Sequence, residues 1–207
     1  MQFIDFQKRL SVYPVFSLQD VKKIFHDFSY RQLDRWEKKG YLKKLKRGFY
    51  CFSTDEPSSS FLFYIANKIY APSYISLEMG LRYYGLIPEE IFQITSVGTK
   101  KTNSFRTIVG NFTYRKIKPN LFWGYRLIAF GQQKILLADP EKAILDYLYI
   151  HPQLKSTHDF LEMRMNVDTF IEQINLAKLQ KYLEAFGNKQ LSKRVKVFLT
   201  TLTHADA

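Results

Sequence analysis

Apolar residues recur at helical spacing near the start of the chain. Ile4, Phe6 and Leu10 predict a short helix over residues 4–10. Leu18, Val21 and Phe25 share a face over 18–25, with Ser17 placed to cap that segment. A third helix is expected after Ser29, its presumptive cap. On a 3.6-residue wheel Tyr30, Leu33, Trp36 and Gly40 fall on one side; Arg31, Arg35 and Lys38 fall opposite, flanked by Gln32 and Lys39. One face can pack while the other is rich in hydrogen-bond donors. Gly40 is a natural helix stop. In YLKKLKRGFYCF (41–52), strand-favouring aromatics then lie on both sides of Lys46-Arg47-Gly48, the pattern of a hairpin with a tight turn.

Three helices and a hairpin with a basic tip form a winged helix-turn-helix pattern. A helix of that width fits the major groove, where Arg and Gln reach base edges, and a basic hairpin tip suits phosphates or the minor groove. The candidate DNA-binding set is Tyr30, Arg31, Gln32, Arg35, Lys38 and Lys39 on the helix, with Lys43, Lys44, Lys46 and Arg47 on the hairpin. Leu33 and Trp36 are assigned to the core. A basic helix by itself is equally compatible with a solvated face, and winged helices also serve as structural or protein-binding modules.

Downstream, the small and polar STDEPSSS (53–60) reads as a linker. A boundary near Glu56 divides the chain into residues 1–55 and 56–207. The helix 76–90 is expected to start at a Ser76 cap and to end at Gly85 and Pro88. Strands are expected at 91–98, 104–110, 111–118 and 125–130. A helix over 139–150 has Asp139 as cap, Pro140 at its first position and Glu141 near the positive end of the dipole. Four further helical segments fill 154–203. The expected class is α+β: a winged helix-turn-helix followed by a larger mixed domain with a mostly antiparallel sheet and C-terminal helices.

Charge sharpens this picture. The 207 residues carry a net charge of +12, which favours a polyanionic partner. Residues 1–55 hold 12 basic and 6 acidic side chains and residues 56–207 hold 19 and 13, so per residue the first quarter is nearly three times as positive. A second basic run, KKTNSFRTIVGNFTYRKIK (100–118), has no acid. Lys100, Lys101, Arg106, Arg115, Lys116 and Lys118 form either a sheet edge guarded against aggregation or a second polyanion-contacting surface continuous with the first.

Candidate chemistry is sparse. Asp139, Glu141 and Asp146 are acids on one predicted helix, but the first two stand where helix-start acids normally stand. No phosphate-cradling glycine loop, HExxH, GxSxG or paired DxD occurs. One cysteine, Cys51, excludes an internal disulfide, and the four histidines lack ligand spacing. No enzyme activity, metal or cofactor is expected. No apolar run approaches the ~20 residues of a membrane span and the N-terminus lacks a signal-peptide core, so a cytoplasmic location and no membrane partner are expected.

YISLEMGLRYYGLIPE, IFQITSVGTKKT, ILLADPEKAILDYLY and the closing FGNKQLSKRVKVFL, together with a preceding winged helix bearing RGFY at its hairpin, resemble the AbiEi family of antitoxins and regulators from bacterial abortive-infection systems. The resemblance implies autorepression through inverted repeats in the protein's own promoter. It also implies that the C-terminal domain counters a nucleotidyltransferase-like toxin, without a stable complex being required. It carries over no catalytic residues. Two other readings stay open: a stand-alone winged-helix transcription factor, and a module binding RNA or protein without a toxin partner.

Overall fold

The computed structural model describes residues 1–53 and 57–205. The expected boundary near Glu56 lies outside the described residues. The segment before it forms a first lobe and the segment after it a second.

The first lobe runs α1 (Phe3–Leu10), β1 (Val15–Ser17), α2 (Leu18–Ile24), α3 (Arg31–Lys38), β2 (Leu42–Lys46) and β3 (Phe49–Phe52). Ser17 starts α2 through a reciprocal capping box with Asp20: the serine hydroxyl accepts from the Asp20 amide, and the Asp20 carboxylate accepts from the Ser17 amide. α3 begins differently from expectation. Tyr30 holds the cap position and offers no side-chain bond; Ser29 contributes its carbonyl to the Gln32 amide, at 2.9 Å. α3 stops at Gly40 (φ +75°). There the Tyr41 and Gly40 amides bond back to the Trp36 and Glu37 carbonyls, the Schellman arrangement that only a left-handed residue closes without strain.

Phe6 is the hub of this lobe. Its ring centre lies 4.7 Å from Trp36, 5.4 Å from Phe28, 5.5 Å from Phe25 and 5.6 Å from Phe16. Leu10, Val21, Leu33, Leu42 and Tyr50 complete the core. The strands pair antiparallel in the order β1-β3-β2; the pairing of β1 was not anticipated from its three residues.

The second lobe opens with α4 (Ser59–Ile69), capped by Ser58, whose hydroxyl accepts from the Phe61 amide. It continues through β4 (Ser73–Ile75), α5 (Leu77–Tyr83), β5 (Gln93–Gly98), β6 (Asn103–Thr107), β7 (Gly110–Lys116), β8 (Tyr125–Phe130), β9 (Gln133–Ala138) and α6 (Pro140–Ile150). Four helices follow: α7 (Thr157–Glu162), α8 (Val167–Gln173), α9 (Leu176–Phe186) and α10 (Lys189–Ala205). The architecture is α+β with C-terminal helices. The six-stranded sheet has the order β6-β7-β5-β4-β9-β8; three of its five pairings are antiparallel, as expected of a mostly antiparallel sheet, and two are parallel. β5 pairs parallel with β7, and β4 parallel with β9. The cause is topological. The β6–β7 hairpin swings outward, so its returning strand, not its leading one, lies against β5.

One side of this sheet carries α5, α6 and the C-terminal helices. The other carries α4, and α4 in turn meets the first lobe. The three-stranded sheet is therefore apolar on both faces. Phe16, Leu42 and Tyr50 face the first lobe's own helices. Val15, Leu45 and Cys51 face outward into a cluster with Phe63, Tyr64 and Ile69 of α4 and Phe112 of β7. The seam between the lobes is built like a core.

Candidate nucleic-acid interface

α3 separates its side chains cleanly. Leu33 and Trp36 are buried, which fixes the helix's rotation about its axis; Arg31, Arg35, Lys38 and Lys39 are exposed, and Tyr30 is exposed at the start. Gln32 departs from the expected stripe. It is half-buried, it borders a cavity of about 280 Å³ lined also by Phe25, Phe28 and Ser29, and its amide oxygen is enclosed without a partner among the described residues. Its position one residue after Arg31 turns it toward the end of α2 instead of outward.

The hairpin divides its basic residues by face. Lys44 pairs with Tyr50 across the ladder, shares the face that α3 covers and is exposed, with its ammonium 6.0 Å from the Tyr50 ring centre. Burial, followed by the charges of Asp34 and Glu37 on α3, raises the Tyr50 phenol above its ordinary range. Lys43 is half-buried and pairs with Cys51 on the opposite face. There burial pushes the thiol up to about 11 against the opposing pull of the lysine charge. Arg47 is exposed at the turn, where Gly48 (φ +82°) packs on Leu18 and its carbonyl accepts from the Leu18 amide.

Lys46 is not a free cation at the hairpin tip. A bulge between Lys44 and Lys46 rotates Lys46 onto the outward face beside Leu45, as the extra residue of a bulge does. Its ammonium stands 4.8 Å from the ring centre of Phe49, 5.7 Å from Tyr70 and 4.7 Å from Phe105. Burial, and then the charge of Lys100, lower its proton affinity. Tyr70 and Phe105 belong to the second lobe, far from Lys46 in sequence, and nothing in the local pattern singles them out.

All six basic side chains of the second basic segment are exposed. Arg106 lies on the edge strand β6 opposite Asn111; Arg115 and Lys116 lie on β7 opposite Val97 and Gly98. Lys101 and Lys100 precede β6, where the Lys101 carbonyl accepts from the Tyr70 hydroxyl at 2.7 Å, and Lys118 follows β7. β2 packs against β6, so the hairpin and the start of this segment adjoin. Lys100 places its ammonium 5.6 Å from the Tyr70 ring centre.

The acids considered for catalysis occupy two different environments. Asp146 is fully buried beside Lys142, with which it forms an ion pair one helical turn apart. Its carboxylate accepts from the Tyr74 hydroxyl at 2.8 Å and the Ser76 hydroxyl at 2.9 Å, and Lys142 also donates to Tyr74 at 2.8 Å. Ser76 thus serves Asp146 with its side chain, not the start of α5 as expected. Burial pulls Lys142 and Asp146 toward their neutral forms, while their mutual contact pulls back. Asp139 and Glu141 instead share Lys178, at 3.2 Å and 3.0 Å. Asp139 also meets Arg126 and the Tyr182 hydroxyl, so its side chain makes no cap bond to α6. With no exposed area, Lys142 and Asp146 hold α6 against β4 and α5; they do not face solvent.

Among the described residues no three His, Cys, Asp or Glu side chains gather as metal ligands would, and no helix is long and apolar enough to cross a membrane. No protein-family model matches the chain, and no curated protein matches it.

Proposed function

We propose that the protein is a DNA-binding transcriptional repressor that reads its operator through a winged helix-turn-helix in its first lobe. The observation that carries this reading is the rigid division of α3: Leu33 and Trp36 are locked into an aromatic core while Arg31, Arg35, Lys38 and Lys39 project from the other face. A helix held at a fixed rotation with arginines outward can present them to guanine edges in the major groove, and Arg suits that contact because its fork is bidentate. Lys44 and Arg47 flank it as backbone-contacting charges, which position the helix without adding sequence information. Tyr30 lies at the helix start, within reach of sugar or phosphate. Lys43 and Gln32 take supporting places, and Lys46 belongs to the seam.

We further propose that the repressor is an antitoxin of the AbiEi kind. In this reading it represses its own operon from an inverted repeat, and its second lobe counters a nucleotidyltransferase-like toxin. The sequence resemblance supports this setting. The exposed cations from Lys100 to Lys118 extend the polyanion-facing surface into that lobe.

A gel shift with the DNA upstream of the protein's own reading frame tests the first proposal. Binding at physiological salt should prefer that DNA over a scrambled duplex by about 10³-fold or more. Equal affinity for both overturns the operator reading and favours an RNA- or acidic-protein-binding module. Co-expression with the adjacent gene, scored by growth, tests the antitoxin setting; no rescue from a toxic neighbour overturns it.

A further inference from the structure

We propose that Lys46 of the hairpin and Lys100 of the second lobe form a composite phosphate seat across the seam, so that one backbone phosphate of bound DNA engages both lobes at once. The inference rests on the DNA reading above for its natural ligand and goes beyond it in assigning a site that neither lobe contains alone.

Two ammonium groups from different lobes converge on one aromatic ring, at 5.7 Å and 5.6 Å from the centre of Tyr70. Lys46 is held in place, and Lys100 is an exposed side chain on an anchored stretch of backbone. Lys46 is fixed by the bulge and by the rings of Phe49 and Phe105. Lys100 precedes β6, whose neighbouring Lys101 carbonyl is anchored by the Tyr70 hydroxyl. Among the described residues neither lysine has a carboxylate within ion-pair distance. Like charges held together without a counter-ion repel, and the Lys100 charge accordingly lowers the proton affinity of Lys46. An anion between them turns that repulsion into attraction to a common partner. The rings supply quadrupolar attraction to the cations but no lone-pair acceptor for an ammonium proton, which a phosphate oxygen offers with a charge-assisted bond.

The arrangement also has a consequence for the fold. The first lobe meets the second through an apolar seam plus this charged corner. Filling the corner with phosphate fastens the hairpin to β6, so DNA binding and lobe docking reinforce each other through a shared ligand.

The experiment uses the full chain with carbon-13 at the lysine Cε positions, a label that leaves each ammonium charge and its protons unchanged. Lys46→Met and Lys100→Gln assign the two signals, Met keeping the stem that packs on the rings. Pyrophosphate is titrated first. The expected result is that both signals move with one midpoint, and that Lys46→Met weakens the Lys100 response at least tenfold. Two separate midpoints overturn the composite seat. Operator duplex is then titrated across salt concentrations. Lys100→Gln should reduce the log–log salt slope by about one and leave the preference for operator over scrambled DNA unchanged. An unchanged slope overturns the assignment to DNA phosphate. Loss of operator preference in the unmodified protein is instead a failure of the DNA reading, and the pyrophosphate arm still judges the seat.

Discussion

Replacing Asp146 by Ala isolates the energetics of the second lobe's interior. The carboxylate has no exposed area and accepts from three donors: Lys142, Tyr74 and Ser76. Its removal leaves the Lys142 ammonium in an aromatic box, 4.9 Å from the Phe186 ring centre, 5.1 Å from Trp123 and 5.3 Å from Tyr74, with one hydroxyl as its remaining acceptor. Breaking a buried pair from one side destabilises by about 3–5 kcal/mol. For a chain of this size that corresponds to a fall in Tm of about 6–20 °C. The double variant Lys142→Met with Asp146→Leu removes both charges but leaves the Tyr74 and Ser76 hydroxyls short of an acceptor, a residual penalty of about 1–3 kcal/mol for each enclosed group. It should nonetheless be more stable than Asp146→Ala. Urea unfolding followed by tryptophan fluorescence reads this directly, since Trp123 lines the box. A single-variant loss below about 1 kcal/mol, or a double variant no more stable than the single, would refute a paired and desolvated Lys142–Asp146.

Arg35→Ala should weaken operator binding by about 1–3 kcal/mol, provided the arginine contacts a base, and relax specificity at one position, whereas Lys44→Ala should weaken all duplexes alike; both are read by gel shift at fixed salt. Gly98→Ala should destabilise the second lobe by about 1–3 kcal/mol in thermal melts, because an added Cβ would lie 2.7 Å from the carbonyl oxygen of Pro72, the residue just before β4. Asp159 closes the capping box that Ser156 opens at the start of α7 and accepts from the Lys155 and Ser156 amides, which hold its carboxyl down to about 2. A depressed folded pKa adds stability that is fully present above the unfolded value of about 4 and is lost as pH falls toward 2; acid unfolding of Asp159→Asn should therefore lose part of the slope seen over that window.

The first lobe was largely legible from sequence because its determinants are local. A capping serine and aspartate three apart, apolar residues at helical spacing and Gly48 in a turn each act over a few residues, and α1, α2, α3 and the hairpin all lie close to where periodicity puts them. β1, β4 and β9 were missed. The first two have three residues each, too few to show alternation, and their pairings are long-range: β1 with β3, and β4 with both β5 and β9. α4 was missed because its first residues, Ser59 and Ser60, read as the end of a linker.

Serine and aspartate at helix starts show where local rules stop. Ser17 caps as expected, and Ser58 and Ser156, not singled out from sequence, cap as well. Ser76 and Asp139 stand in equivalent places, but the first serves a buried carboxylate and the second meets Arg126, Lys178 and Tyr182. Tertiary partners carrying charge outbid the two or three backbone amides that a cap satisfies.

The sequence by itself determined the α+β class, the helical and hairpin segments of the first lobe, the separation of Leu33 and Trp36 from the arginines around them, and the basic character of both regions. Periodicity and composition are properties of neighbours, and these follow from neighbours. Only the tertiary structure decided that the hairpin is apolar on both faces, that a bulge turns Lys46 into the seam, and that Lys100 meets the same ring. Those outcomes depend on which distant surfaces exclude water together, and that is a property of the packed chain.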